Sequence, residues 1–386
     1  MTSQKKTTVP RKIRIEANLL DKQLRAIFSA WGMPEDIIGP TVYTMVETDL
    51  RGIDSHGIGM IMRYEEYLQK GLLNIRPNIK TLKETPAVAQ ITGDAGLGHA
   101  PSVKAIEMAC DKAEQLGVGI VSVTHSMHHG AVGAYALRAA RRGMIGFGCT
   151  AAWAHCIPPT RSKDAMFATN PIAFAAPAGK NRHFVMDFAT STVAVGKISI
   201  AWFNDRPLPP GWVIDAEGQS VTDPAIAHPL STRERQGGLT PLGGTEDMSS
   251  HKGYGLAAMV EILSTILSGA VYGPALIRRN PEATNTMSGG HFFMALKPEF
   301  FREPGDFQND LDEMIDALHA ATPIDPQKPV LVHGDNEWAH FDDRKKNGIP
   351  VPLKLLGLIK GVADRAGADF LLGEVSENSH SLWGAH

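Results

Sequence analysis

The sequence predicts an α/β protein, and three observations carry that reading. Apolar residues recur at helical spacing near both ends of the chain. Short β-rich apolar runs alternate with helical patterns between residues 88 and 149. Glycine, proline and short polar residues punctuate the joins. At 386 residues, and with roughly 100–200 residues to a domain, two domains are expected. A hydrophobic content of 43% is enough to give each a core.

Leu24, Ile27, Phe28 and Trp31 mark the first helix, and Gly32 stops it. Pro34 opens the second, with Glu35 and Asp36 at the positive end of its dipole. Ile37, Ile38, Val42, Met45, Val46 and Leu50 continue it to Gly52. Asp54 and Ser55 read as capping residues of a third helix carrying Ile58, Ile61, Met62 and Leu68. Val88 to Thr92 reads as a strand, followed by the turn GDAGLG. A helix then places Val103, Ile106, Cys110, Ala113 and Leu116 on one face, closed by Gly117. Val118 to Val123 is a buried strand, and the loop THSMHHG leads into a helix over Ala131 to Arg142. Strands are expected at Met144 to Cys149, Ile172 to Ala175 and His183 to Asp187. Residues 151–165 read as loop, and 203–250, rich in proline, glycine and charge, as a long ordered loop region. Leu256, Met259, Val260, Leu263 and Leu267 mark an apolar helix. Its surrounding stretch, Tyr254 to Ile277, contains Glu261 and several glycines, which argues against a membrane span. A strand over 291–297 and helices near 311–321 and 352–366 complete the chain.

A formal net charge of −3 creates no whole-surface field for nucleic acid or an anionic membrane. The first residues are basic and polar with no apolar core, so no secretory signal is read there, and 1–17 is expected as a flexible tail. The three cysteines, Cys110, Cys149 and Cys156, are odd in number and form no CxxC pair. A reducing compartment, the cytoplasm, fits them better than a disulfide framework.

Four constellations bear chemistry. Asp54-Ser55-His56-Gly57 at a helix start offers backbone N–H groups and a dipole end suited to a carboxylate; a plain cap is the ordinary alternative. His125-Ser126-Met127-His128-His129-Gly130 follows a buried strand, where α/β proteins bind ligands, and a histidine there can exchange protons near neutral pH. Its three histidines match no zinc spacing, so no metal is expected, although a metal-dependent hydrolase using His125, His128 and His129 stays open. Gly93 to Gly98 has the order GxxGxG, with Pro101 where GxGxxG would have its last glycine, and reads as a structural turn rather than a dinucleotide fingerprint. Ser249 to Gly255 opens the apolar helix with Lys252 and glycines, a setting that can hold a phosphate but is not a P-loop.

Taken together, RGIDSHG followed by Arg63-Tyr64, HSMHHGAVGAYA, ATNPIAFAAP, VMDFATSTVAVGK and HKGYGLAAMVEILSTILSGA resemble the type-2 malate/L-lactate dehydrogenase family, from about residue 18 onward. That family includes ureidoglycolate, sulfolactate and diketogulonate oxidoreductases and a piperideine-2-carboxylate reductase. The resemblance implies a non-Rossmann, mixed and largely antiparallel sheet domain over 86–339. It also implies a helical domain formed from both chain ends, 18–85 with 340–386. It implies a homodimer that interconverts a small 2-oxo acid and its 2-hydroxy acid with NAD or NADP. His128 matches the catalytic histidine, with His56 the alternative acid/base. Ser55, His56 and Tyr64 match substrate-contacting positions. Asp187, Phe188 and Ala189 match a cofactor-binding segment, as do His251 and Lys252, and Gly334 and Asp335 within VHGDNE. The chain departs from the family at Met60 and Val195, where arginines are common, at His129, and in the insertion GTEDMSS. Loss of a bidentate arginine–carboxylate contact at Met60 leaves Arg63 or Arg161 as substitute cations. Lys180, Arg182 and His183 are candidates for a 2′-phosphate. A cyclic imine acid in place of the 2-oxo acid, and a ligand-binding relative without turnover, stay open beside this reading.

Overall fold

The computed structural model describes residues 12–151, 155–232, 234–271 and 289–373. In chain order the elements are β1 (Lys12–Ile15), α1 (Ala17–Ala30), α2 (Glu35–Leu50), α3 (Ile61–Gln69), β2 (Thr81–Glu84), β3 (Val88–Thr92), α4 (His99–Leu116) and β4 (Val118–Ser126). Then come α5 (Gly133–Arg141), β5 (Ile145–Thr150), β6 (Ile172–Ala176), β7 (Phe184–Phe188), α6 (Val195–Phe203), β8 (Val213–Ile214), α7 (Pro224–Thr232) and β9 (Gly238–Leu239). The last are α8 (His251–Glu261), β10 (Gly289–Leu296), α9 (Asp306–His319), α10 (Asp335–Asn347), β11 (Ile349–Pro352) and α11 (Leu353–Ala366). Two compact units divide the chain: Met1–Gly71 with Asn336–His386, and Leu72–Asp335.

In the first unit, Leu20, Leu24, Ile27 and Phe28 of α1 are buried, as are Ile38, Val42 and Met45 of α2 and Leu356, Ile359 and Val362 of α11. These are the stripes that helical spacing marks out, and α1 packs on both α2 and α11. The expected tail over 1–17 is shorter at its inner end. Lys12–Ile15 pair antiparallel with Ile349–Pro352, because Ile15 has a buried slot to fill. Residues 1–11 lie outside the described residues.

The second unit is built on a seven-stranded sheet of order β2-β3-β4-β10-β5-β6-β7. Only β3 and β4, joined through α4, run parallel; the other neighbours are antiparallel. A doubly wound nucleotide fold needs a run of parallel strands and a crevice where their order reverses. This sheet has neither. Alternate residues of β10 serve opposite faces: Phe293 and Ala295 join Ile106, Ala109, Tyr135 and Ala139 of α4 and α5, whereas Phe292 joins Val260 of α8. Helix α9 packs Leu311 and Ile315 near the β6–β7 edge.

Four further expectations change. The boundary expected at 85/86 falls at 71/72, because β2 pairs with β3 and draws its flanking residues into the sheet unit. The boundary expected at 339/340 falls at 335/336. Residues 203–250 are not wholly loop. They hold α7 and the β8–β9 ribbon around a core of Leu208, Val213, Ala227 and Leu239, joined by Ile157, Ile198 and Ala257. The third helix begins at Ile61 after a short turn at Ile58–Met60, so Asp54 and Ser55 do not cap it. Within the expectations for 151–165, 203–250 and Tyr254 to Ile277, residues 152–154, 233 and 272–277 lie outside the described residues, as do 374–386. Among those described, no helix is long and apolar enough to cross a membrane.

Candidate active site

The histidine loop of the second unit is held by main chain. Strand β4 runs on to Ser126 and turns sharply at His125, whose φ is 47°. The glycine-rich turn after β3 lies alongside. Gly93 N–H donates to the Thr124 carbonyl at 2.8 Å, Ala95 N–H to that of His125 at 2.7 Å, and Gly98 N–H to that of His128 at 2.9 Å. In return Met127 N–H donates to the Gly96 carbonyl at 3.0 Å. The glycines permit this approach. A Cβ on Gly98 would collide with the Met127 carbonyl and sit 2.7 Å from His129 Cβ and 2.8 Å from His291 Nε2. The GxxGxG turn is thus the brace of the histidine loop and not a phosphate cradle.

The three loop histidines meet different environments. His125 is exposed, His128 half-buried and His129 buried. His129 stacks on His291 with centroids 4.1 Å apart and ring planes 9° apart; its Nδ1 lies 2.9 Å from Ser102 Oγ, and Tyr135 OH donates to its carbonyl. His291 is bracketed by Thr150 Oγ1 at 2.7 Å and Ser126 Oγ at 2.8 Å, and burial pushes its pKa down to about 3. His128 Nδ1 accepts from Gly130 N–H at 3.3 Å, which puts the proton of the neutral ring on Nε2. Among the described residues no three His, Cys, Asp or Glu side chains gather to hold a metal ion.

The expected cofactor segments are tied to this loop and to each other. Asp187 at the end of β7 accepts Gly133 N–H at 2.7 Å, fastening the start of α5, directly after the histidine loop, to the sheet. Phe188 and Ala189 follow, half-buried. Thr190 carbonyl accepts Leu242 N–H at 2.8 Å, and the Leu242 carbonyl accepts Gly253 N–H at 3.0 Å. One residue therefore links the segment after Asp187 to the start of α8, where His251 and Lys252 are exposed. Gly334 has φ 104° and is buried. Asp335 accepts Val332 N–H at 2.7 Å and pairs with His319 Nε2 at 2.8 Å, while the His333 carbonyl accepts Val185 N–H from β7 at 3.2 Å. The VHGDNE loop thus adjoins the strand that carries Asp187.

In the first unit Ser55 is exposed and its Oγ lies 2.7 Å from Nδ1 of half-buried His56; burial lowers the His56 pKa. Tyr64 is fully buried. Arg63 faces Glu66 at 3.9 Å, and Met60 is half-buried. In the second unit Arg161 Nε donates to Glu246 at 2.7 Å. That pair lines a cavity of about 560 Å³ shared with Thr160, Lys163 and Ser250, so the insertion supplies Arg161's partner. Lys180 Nζ is tied to Asp316 at 2.6 Å.

A family model described as malate/L-lactate dehydrogenase matches residues 15–360. The chain belongs to that family. It is 35% identical to the malate dehydrogenase of Pyrococcus abyssi over 356 residues, 92% of this chain and 95% of that one. It is 34% identical to the L-sulfolactate dehydrogenase of Methanocaldococcus jannaschii, covering 88% and 94% of the two chains. The crystal structure of malate dehydrogenase from Entamoeba histolytica superposes with a TM-score of 0.87 at 27% identity, over 93% of this chain and 99% of that one. This member of the malate/L-lactate dehydrogenase family also buries polar groups that its sequence conceals. His291, Asp49 and Arg344 escape sequence reading. The first two leave a trace: a histidine inside the apolar run GGHFFMAL, and an acidic residue in the last turn of a helix, where the dipole disfavours it. Arg344 lies in the charged run DDRKK and leaves none.

Proposed function

We propose that the chain interconverts a small 2-oxo acid and its 2-hydroxy acid by hydride transfer with NAD or NADP. The observation that carries this is His128, half-buried on a loop fixed by main-chain bonds, in a chain whose relatives are named for malate and sulfolactate. The residues fit a dinucleotide. Lys252, exposed at the positive end of α8, suits a phosphate, and the left-handed Gly334 lets a ligand approach its backbone. Asp187 and Asp335 act differently: their carboxylates are spent on backbone N–H groups, so they shape the site, while Phe188, Ala189 and His251 would line it. When bound, the nicotinamide supplies hydride to the substrate's second carbon or takes it away.

His128 holds the proton exchanged with the oxygen on that carbon. Ser55 and His56 hold the acid group. His56 is the alternative acid/base. Its lowered pKa keeps it neutral at pH 7, which suits a base or a neutral donor better than an acid. Tyr64, the other substrate position that the resemblance implies, is fully buried in the same unit. The three cysteines are buried free thiols, their pKa values pushed up to about 12 by burial, which accords with a cytoplasmic setting. Two copies would associate: Ile200, Trp202, Phe203 and Ile226 expose a shared apolar face on α6 and α7 that a partner would cover.

Nicotinamide absorbance tests the reading, with NADH or NADPH and a panel of 2-oxo acids and cyclic imine acids. Turnover of one 2-oxo acid is expected. His128→Ala should lower kcat about 100-fold or more, the usual weight of general acid–base catalysis. A near-normal kcat in that variant moves the role to His56. Turnover confined to cyclic imine acids would replace the substrate class.

A further inference from the structure

We propose that Asp49 and Arg344 are positioning residues for the Ser55–His56 turn, an inference that rests on the function proposed above. Asp49 closes α2 and is 2% exposed. Its Oδ2 accepts the Ile58 N–H at 2.7 Å. A Cβ on Gly57 would overlap this carboxyl, so the turn closes directly onto Asp49, and glycine is what permits it. On the other side, Arg344 of α10 has a side chain only 6% exposed. Its Nη1 donates to the Asp49 carbonyl at 2.6 Å and to Asp54, and its Nη2 reaches the other Asp54 oxygen at 3.3 Å. Asp54 and Ile58 are therefore both anchored, and Ser55 and His56 lie between the anchors.

A purely structural role explains this poorly. A buried carboxyl and a buried guanidinium are costly, and well-packed apolar side chains of similar volume commonly do as well or better for stability. What an apolar pair cannot do is hold an N–H and a carboxylate at fixed points. Burial pushes the Asp49 carboxyl up to about 8, against the Ile58 N–H bond; the charged groups facing it are Asp54, which adds to the rise, and Arg344, which opposes it. At neutral pH the group is an uncharged carboxyl. Above about pH 8 it becomes an anion that binds the Ile58 N–H and Arg344 more strongly and repels Asp54, so the surroundings of His56 should change there.

The test uses the full chain and reads the His56 imidazole by NMR titration, its signal assigned by loss in His56→Gln. Asp49→Asn keeps an acceptor for Ile58 N–H but cannot ionise. It should leave the His56 signal unchanged at pH 7 and remove an inflection near pH 8 that the parent shows. Asp49→Leu removes the acceptor. It should move the His56 pKa by about half a unit or more. It should also raise KM for the 2-oxo acid about tenfold while the cofactor KM stays within about twofold. A His56 titration identical in Asp49→Leu and parent overturns the inference. If Asp49→Leu does not melt cooperatively, Arg344→Lys takes its place, keeping the charge but losing the fork. An unmoved His56 there overturns the inference equally. An inactive parent defeats the function proposed above, while the NMR still decides the positioning.

Discussion

His291 shows what burial does to a titratable ring. Both its nitrogens lie against hydroxyl groups, those of Thr150 and Ser126, and another imidazole covers its face. An unfolded chain takes up this proton near pH 6.5, the folded chain only near 3. The unfolded state therefore binds the extra proton as the pH falls between those values. The ring's contribution to stability is complete above about pH 6.5 and declines at about 1.4 kcal/mol per pH unit on the way down. Urea unfolding at pH 7 and pH 5 should show it. His291→Gln should lose about 2 kcal/mol less between those two conditions than the parent does. Parallel losses in the two proteins would mean that the ring is not held neutral. His128, three residues beyond His125 in the same loop, is only half-buried and can serve the opposite purpose.

At the scale of elements, the brace between the β3–α4 turn and the histidine loop decides where His128 stands. Gly98→Ala should push the Met127 carbonyl away and lower kcat about tenfold or more, because small displacements at a reacting group are expensive. Gly196→Ala is the control, since nothing lies within 4 Å of the added carbon, and it should leave kcat unchanged. Equal effects in the two variants would remove the brace from the explanation. Much of this region is legible in the sequence. Val88 to Thr92, the face from Val103 to Ala113, and the strand from Val118 are plain because apolar period reports burial. The turn GDAGLG is legible as a turn. Its partner is not, because main-chain hydrogen bonds leave no mark on residue type. Asp49 and Arg344 are hidden for another reason: 295 residues separate them, and only the fold makes them neighbours. The small β8–β9 ribbon is masked by prolines and glycines that read as loop.

For the whole molecule, the apolar face of α6 and α7 sets the expectation for assembly. Phe203 is 70% exposed and Ile200 57%, and Trp202 stacks on His228 at 4.3 Å. Light scattering behind size exclusion should give twice the chain mass, and Phe203→Lys should shift it toward the single-chain value. A parent that runs as a monomer would leave that face without a partner. The histidine loop has one more consequence. Side-chain bonds at Ser126 and His129 help to place the histidine loop, and beside them four hydrogen bonds run between peptide groups. None of these four depends on which side chain the loop carries at a given step. For these four bonds identity and location are set separately, and an exchanged residue keeps the main-chain part of its placement. A scaffold of that kind can change what it turns over by single substitutions, each passing through a folded intermediate.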